Sequence, residues 1–235
     1  MQGIMLRVCG HWAQFRKPET NNNPLTHDFI TKTALIGLIG AVLGKERQEM
    51  SVLFPDLCND LLYGVKINGA VKKESWGFTL RRVDKQNDPM EKSPRQMEFL
   101  RDPDFTIALA LHNERSKELF SLFASSLRNQ EARYTPVLGL HNCPAELTWI
   151  TETSFNSEEG EYTTKGFVLR SHRFRAGADL SGFRVGFERI PTYQDAEWWN
   201  PPDGYREVAY PSNGMDITVD GSHFRGHTGE AWCLI

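Results

Sequence analysis

Three clusters along the chain interleave aromatic rings with cations: HWAQFRK at 11–17, WGFTLRR at 76–82 and RSHRFR at 170–175. Rings stack on exposed bases at roughly 1–3 kcal/mol per base, and cations meet phosphates, so such mixtures suit sequence-tolerant binding of single-stranded nucleic acid. In the first cluster Trp12 offers a ring, Gln14 an amide, and Arg16 and Lys17 two adjacent charges. Trp12 and Phe15 also suit a buried core. The segment that follows, PETNNNPLTHD at 18–28, has no hydrophobic period and reads as a polar loop. Its Asn22, Thr26 and His27 either bond phosphate and sugar or close turns. Thr31, Lys32 and Thr33 stand just before the longest apolar run of the chain. If that run is a helix, these three residues flank an end whose amides and dipole favour an anion.

Other chemistries find little support. No GxSxG and no local grouping of Ser, His and an acid suggests a nucleophile. The glycines of LIGLIGAVLG lack the Lys-Ser/Thr end of a phosphate loop. His223 and His227 have metal-like spacing, but Gly221, Gly226 and Gly229 oppose a helix that would align them, and no cysteine pair completes a zinc set. Cys9, Cys58, Cys143 and Cys233 are scattered without a CxxC, which reads as free thiols in a reducing compartment. No catalytic residue, metal or cofactor is expected on this basis.

The elements that must position these groups follow from the hydrophobic pattern. The chain has 235 residues, 40% hydrophobic and 24% charged, with a formal net charge of −3. These values describe an ordinary globular protein and oppose nucleic-acid binding through bulk charge, leaving local patches to do it. MQGIMLRVCG has no signal-peptide pattern, and no apolar run reaches the ~20 residues that cross a bilayer, so a cytoplasmic chain without membrane contact is expected. Gly3–Cys9 predicts a first strand. Phe29–Gly44 predicts a buried helix capped by Thr31 or Thr33 and stopped at Gly44, with Gly37, Gly40 and Gly44 on one face for close packing against a sheet. Val52–Leu62 suggests a short helix broken by Pro55. Tyr63–Val71, Trp76–Val83 and Phe105–Leu111 predict strands, and Asn113 caps a helix over Glu114–Leu127. The fourth strand falls to Pro136–Leu140 or Ala145–Ile150. The stretch at about 72–101 is too long for an ordinary hairpin and carries Arg81, Arg82, Lys92, Arg95 and Gln96, so it reads as a projecting β-hairpin arm with a basic side. Ser154–Thr164 reads as a polar link, followed by short strands near Gly166–Phe174, Phe183–Ile190, Arg206–Tyr210 and Met215–Val219.

The order of these elements is βαββαβ, the ferredoxin-like or RRM arrangement, whose sheet commonly binds single-stranded RNA. Four stretches in order carry a more specific likeness: HWAQFRKP, THDFITKTALIGLIGAVLG, SPRQMEFLRDPDFTIALAL and YTPVLGLHNCPAEL. Over roughly residues 4–147 the chain resembles CRISPR-associated protein family five, the subunit at the 5′ foot of type I Cascade complexes, in a form like that of subtype I-B. The resemblance implies an α+β protein with a ferredoxin-like RNA-binding domain over 1–150, a β-hairpin thumb inserted at about 72–101, and a smaller β-rich C-terminal domain over 151–235. It further implies a non-catalytic subunit of RNA-guided DNA recognition in antiviral defence or guided transposition. Its partners would be the crRNA 5′ handle, the family-seven backbone subunit and the large PAM-reading subunit of family eight, with target DNA contacted indirectly. Site residues carried by the likeness and the residue types together are Trp12, Gln14, Arg16, Lys17, Asn22, Thr26, His27, Thr31, Lys32, Thr33, Arg81, Arg82, Lys92, Arg95 and Gln96. The alternative is a metal-independent endoribonuclease that processes pre-crRNA, as in the subtype I-C branch. That branch uses a Tyr and a Lys-His pair, and this chain contains no Lys-His dipeptide: His112 follows Leu111.

Overall fold

The computed structural model describes residues 1–20, 22–81, 92–175, 184–193, 202 and 204–235. It is a mixed α/β fold, dominated by strands, with few helices. Strand β1 (Gln2–Cys9) alternates its side chains across a sheet: Ile4, Leu6 and Val8 enter the main core, while Met5 joins a second core on the other face. Strand β2 (Trp12–Ala13) is short and belongs to another sheet. Helix α1 (Lys32–Leu43) follows. Thr31 caps it by accepting a hydrogen bond from the Ala34 amide at 3.3 Å, and Gly44 ends it in the left-handed region at φ 71°. Its buried residues Leu35, Ile36, Leu38, Ile39 and Val42 make it the centre of the main core.

Helix α2 (Arg47–Asp60) opens with a reciprocal capping box between Glu46 and Glu49 and carries Pro55 inside it without ending. Strand β3 (Leu61–Ile67) leads to an arm of β4 (Lys73–Arg81) and β5 (Lys92–Arg101), paired from Lys73↔Leu100 to Arg81↔Lys92. β2 adds to this arm, in the order β2-β5-β4. Aromatic rings knit its base: Trp12 meets Trp76 edge-on at 4.7 Å and Phe99 at 6.3 Å. Strand β6 (Asp104–Leu111) returns to the main sheet. A 3-10 turn at Glu114–Ser116, capped by Asn113, leads into helix α3 (Lys117–Arg128).

Strand β7 (Glu146–Thr164) runs 19 residues, against a usual strand of about 5–6. Its first half pairs with β1 and its second half with β12 (Ile217–Gly226). The polar link expected at Ser154–Thr164 is therefore strand. Its composition misleads because most of its residues face water, while Phe155 is buried in the core on one face and Tyr162 in a separate core on the other. Five further strands complete the described chain: β8 (Val168–Leu169), β9 (Arg173–Phe174), β10 (Val185–Thr192) and β11 (Gly204–Pro211) precede β12, and β13 (Ala231–Trp232) follows it. The main sheet has the order β13-β12-β7-β1-β6-β3, each neighbouring pair antiparallel. A separate sheet has the order β10-β11-β8. The outer edge of β3 is covered by later chain: the Tyr63 and Ile235 backbones exchange two hydrogen bonds at 3.1 and 3.0 Å, and the Phe167 amide donates to the Val65 carbonyl at 3.1 Å. Gly64 permits this, since a Cβ there would lie 2.6 Å from the Cys233 carbonyl oxygen.

The glycine face of α1 does not pack against the sheet, as the 37/40/44 spacing had suggested. A Cβ on Gly37 would meet nothing within 4 Å, one on Gly40 would strike the Met50 side chain of α2, and Gly44 lies against Arg133.

Candidate nucleic-acid interface

The space beside Gly37 is a groove of about 990 Å³. Its near wall is the N-terminal half of α1, with Thr31, Thr33 and Gly37. Its floor includes Gln14 and Arg16 from the segment after β2, and its far wall is the β10–β11 pair, with Pro191, Tyr193 and Tyr205. Four of the residues singled out from sequence thus converge: Gln14, Arg16, Thr31 and Thr33. The helix end contributes the positive pole of its dipole to this wall. Arg16 donates from Nε and Nη2 to the Thr20 carbonyl at 3.2 and 3.0 Å, which curls the loop after β2 upon itself. Gly139 underlies the segment because its Cβ would fall 1.9 Å from the Gln14 carbonyl oxygen, at a φ of 91° that favours glycine.

Other candidates prove to be internal joinery. Glu188 of β10 is 5% exposed. It accepts from Lys17 Nζ at 2.9 and 3.0 Å and from the Asp28 amide at 3.3 Å, and its Oε2 lies 3.0 Å from His27 Nδ1. Burial would push the Glu188 carboxyl up, but hydrogen bonds and charge from His27, then Lys17, overcome this and hold it down at about 2. Tyr210 donates its hydroxyl to Asp28, and Lys73 at the base of the arm reaches Asp28 at 2.6 Å and Glu98 at 3.1 Å. Thr26 Oγ1 accepts from the Phe15 amide at 2.9 Å and donates to the His27 carbonyl. Lys17, Thr26 and His27 therefore fix the polar loop between the arm and the β10–β11 sheet. Lys32 is half-buried, its Nζ 3.4 Å from the Ile235 carbonyl, and burial pulls its ammonium down to about 8.

On the arm, Arg95 donates to Asn22 Oδ1 at 2.6 Å, and the Gln96 amide to Asn23 Oδ1 at 3.4 Å, so the polar loop lies along β5. Trp12 sits in the ring cluster at the arm's base. Arg81 and Lys92 pair at the last described rung, and Arg82 lies outside the described residues. His223 and His227 have separate partners, Glu158 at 3.4 Å and Thr153 at 2.8 Å. Among the described residues, no group of three His, Cys, Asp or Glu side chains could hold a metal. Also among them, no helix is long and apolar enough to cross a membrane. Glu188, Pro191 and Tyr205 escaped the sequence reading. Their neighbours lie far away in the chain, Glu188 being 171 residues from Lys17, so no local motif marks them.

A family model described as CRISPR-associated protein (Cas5) matches residues 3–204. The chain belongs to this family. The resemblance read from the four N-terminal stretches is borne out. The family-five chain is 28% identical over 151 residues to the CRISPR system Cascade subunit CasD of Escherichia coli K12, a match spanning 60% of this chain and 66% of that protein, just short of two thirds of its length. Two solved structures share the fold. A CRISPR protein from Archaeoglobus fulgidus aligns over 100% of this chain and 98% of its own with a TM-score of 0.59. A chain of a CRISPR RNA-guided surveillance complex aligns over 90% of each with a TM-score of 0.55. Both are 14% identical, so the likeness is one of fold.

Proposed function

We propose that this family-five chain is a non-catalytic subunit of a type I Cascade complex, acting in the cytoplasm, that grips the 5′ handle of crRNA in the groove beside α1. The observation that carries this reading is the convergence of Gln14, Arg16, Thr31 and Thr33 on one open groove, with the β4–β5 arm paired to β2 immediately before Gln14. Backbone and cationic groups there would position phosphates, while splayed bases would meet Tyr205. The order β7-β1-β6-β3, with helices in both crossovers, supports a ferredoxin-like reading of residues 1–150 with β4–β5 as its thumb, and 151–235 as a β-rich C-terminal part. The CasD likeness supports partners of the Cascade type: the family-seven backbone, and the large PAM-reading subunit of family eight. Target DNA would then be met only through the assembled complex.

The test uses Gly37, where an added Cβ would face the groove with nothing within 4 Å. Both Gly37→Ala and Gly37→Glu should leave the helix at least as stable, since glycine costs up to about 1 kcal/mol in a helix interior. Co-expressed with crRNA and partner subunits, the alanine variant should recover crRNA normally. The glutamate variant, which adds bulk and a negative charge, should recover roughly tenfold less. Equal recovery would remove the groove from the handle site. A metal-independent cut in repeat RNA by the purified chain would overturn the non-catalytic reading in favour of pre-crRNA processing.

A further inference from the structure

β10 is two-faced. Glu188 and Ile190 point inward and are buried, whereas Phe187 and Arg189 point outward, Phe187 being 61% exposed. The register with β11 sets Arg189 opposite Glu207 and, on the same side but with the proline itself buried, Pro191 opposite Tyr205. Two arginine–aromatic pairs lie along this side. The Arg189 guanidinium sits 4.3 Å from the Tyr205 ring centre, and that of Arg170, just after β8, sits 5.9 Å from the Phe187 ring centre. Arg170 is steadied by Glu207 at 3.2 Å.

We propose that this outward face is a base-stacking strip for single-stranded RNA, continuous with the groove. The proposal rests on the groove reading, because Pro191 and Tyr205 line the groove at one end of the strip. From Pro191 to Phe187 is four strand steps, roughly 13 Å. A comparable sheet length holds roughly two or three stacked bases in other RNA-binding sheets. A single exposed phenylalanine would need no explanation. Here the exposed ring is one end of a row in which each ring is paired with a guanidinium, and two cations face one acid. Guanidinium planes and rings are the surfaces on which unpaired bases stack, and the positive excess suits a phosphate backbone.

The experiment measures binding of two labelled oligouridylates, roughly 4 and 10 nucleotides long, to the full chain by fluorescence anisotropy. Wild type should bind the longer RNA more tightly. Phe187→Ala should lose roughly tenfold on the longer RNA and nothing on the shorter, and Phe187→Trp should restore the loss. Thermal melts verify that these exposed-site variants fold. If Phe187→Ala binds the longer RNA as wild type does, the strip is overturned. If Phe187→Ala instead releases a protein partner from the assembled complex with RNA binding intact, the face is a protein interface and the proposal is equally overturned. Gly37→Glu separates the two readings. Loss of binding to the shorter RNA in that variant upholds the groove whatever happens at Phe187, and unchanged binding there removes the groove, and with it the strip as an extension of it.

Discussion

A buried carboxylate with cationic partners stabilises a fold only while it is ionised, and Glu188 is such a group. Its carboxyl is held at about 2, below the ordinary 4.5, because the native state keeps the proton off. The stability it contributes is complete above pH 4.5, where the unfolded chain is also ionised, and is lost as pH falls from 4.5 towards 2. Glu188→Gln keeps the shape but leaves Lys17 and His27 facing a neutral amide. It should cost about 3–5 kcal/mol at neutral pH, as removal of one partner from a buried pair does. Urea melts from neutral pH down to about 2 should show the variant's deficit shrinking as the pH falls. A deficit that stays constant would mean that the charge is not what matters there. Gln14, Arg16, Thr31 and Thr33 were legible in sequence because their types and clustering are local. Glu188 was not, since nothing in GFERIP announces a partner in another part of the chain.

The elements divide in the same way. Helix α1, expected over Phe29–Gly44, begins three residues later at Lys32 and ends at Leu43, and it was readable because its boundary signals are chemical: a threonine cap and a glycine able to take φ 71°. Thr31→Ala should lower stability by roughly 1 kcal/mol through the lost cap, with Thr31→Ser close to wild type, as measured by thermal or urea unfolding. Equal stability of both variants would remove the cap from the account. The arm was legible as an over-long, basic excursion between two strands. The second half of β7 was not, because a strand whose residues mostly face water looks like a linker in composition. The glycine face of α1 was misread for a related reason. Spacing places three residues on one side of a helix but does not say what lies opposite. At Gly37 that is open groove, and at Gly40 a methionine.

At the scale of the molecule, β7 ties the two halves of the sequence together. It pairs with β1 along one stretch and with β12 along the next, and the β10–β11 sheet packs through Tyr210 and Phe167 against Phe29 at the head of α1. Residues 1–150 expressed alone should therefore fail to give a cooperative unfolding transition, while the full chain should give one. A well-behaved melt from the short fragment would establish that the N-terminal part stands alone. With a formal charge of −3, the proposed nucleic-acid role rests on local patches, such as Arg170 and Arg189 beside Glu207.

The covered edge of β3 also has a meaning in time. A ribosome delivers β3 early, and the backbone that seals its edge arrives later, at Phe167 and at Ile235. The nearby contact between Lys32 and Ile235 joins positions 203 apart in sequence. Until then the nascent chain carries a bare strand edge, the kind of template on which chains pair with one another. Loops of that span close slowly, and folds dominated by distant pairings are slow to form and exposed to aggregation meanwhile. The dangerous interval for this protein is the one between making β3 and making the backbone that covers it, and slower growth at lower temperature, or a chaperone that holds the edge, should raise the yield of soluble chain.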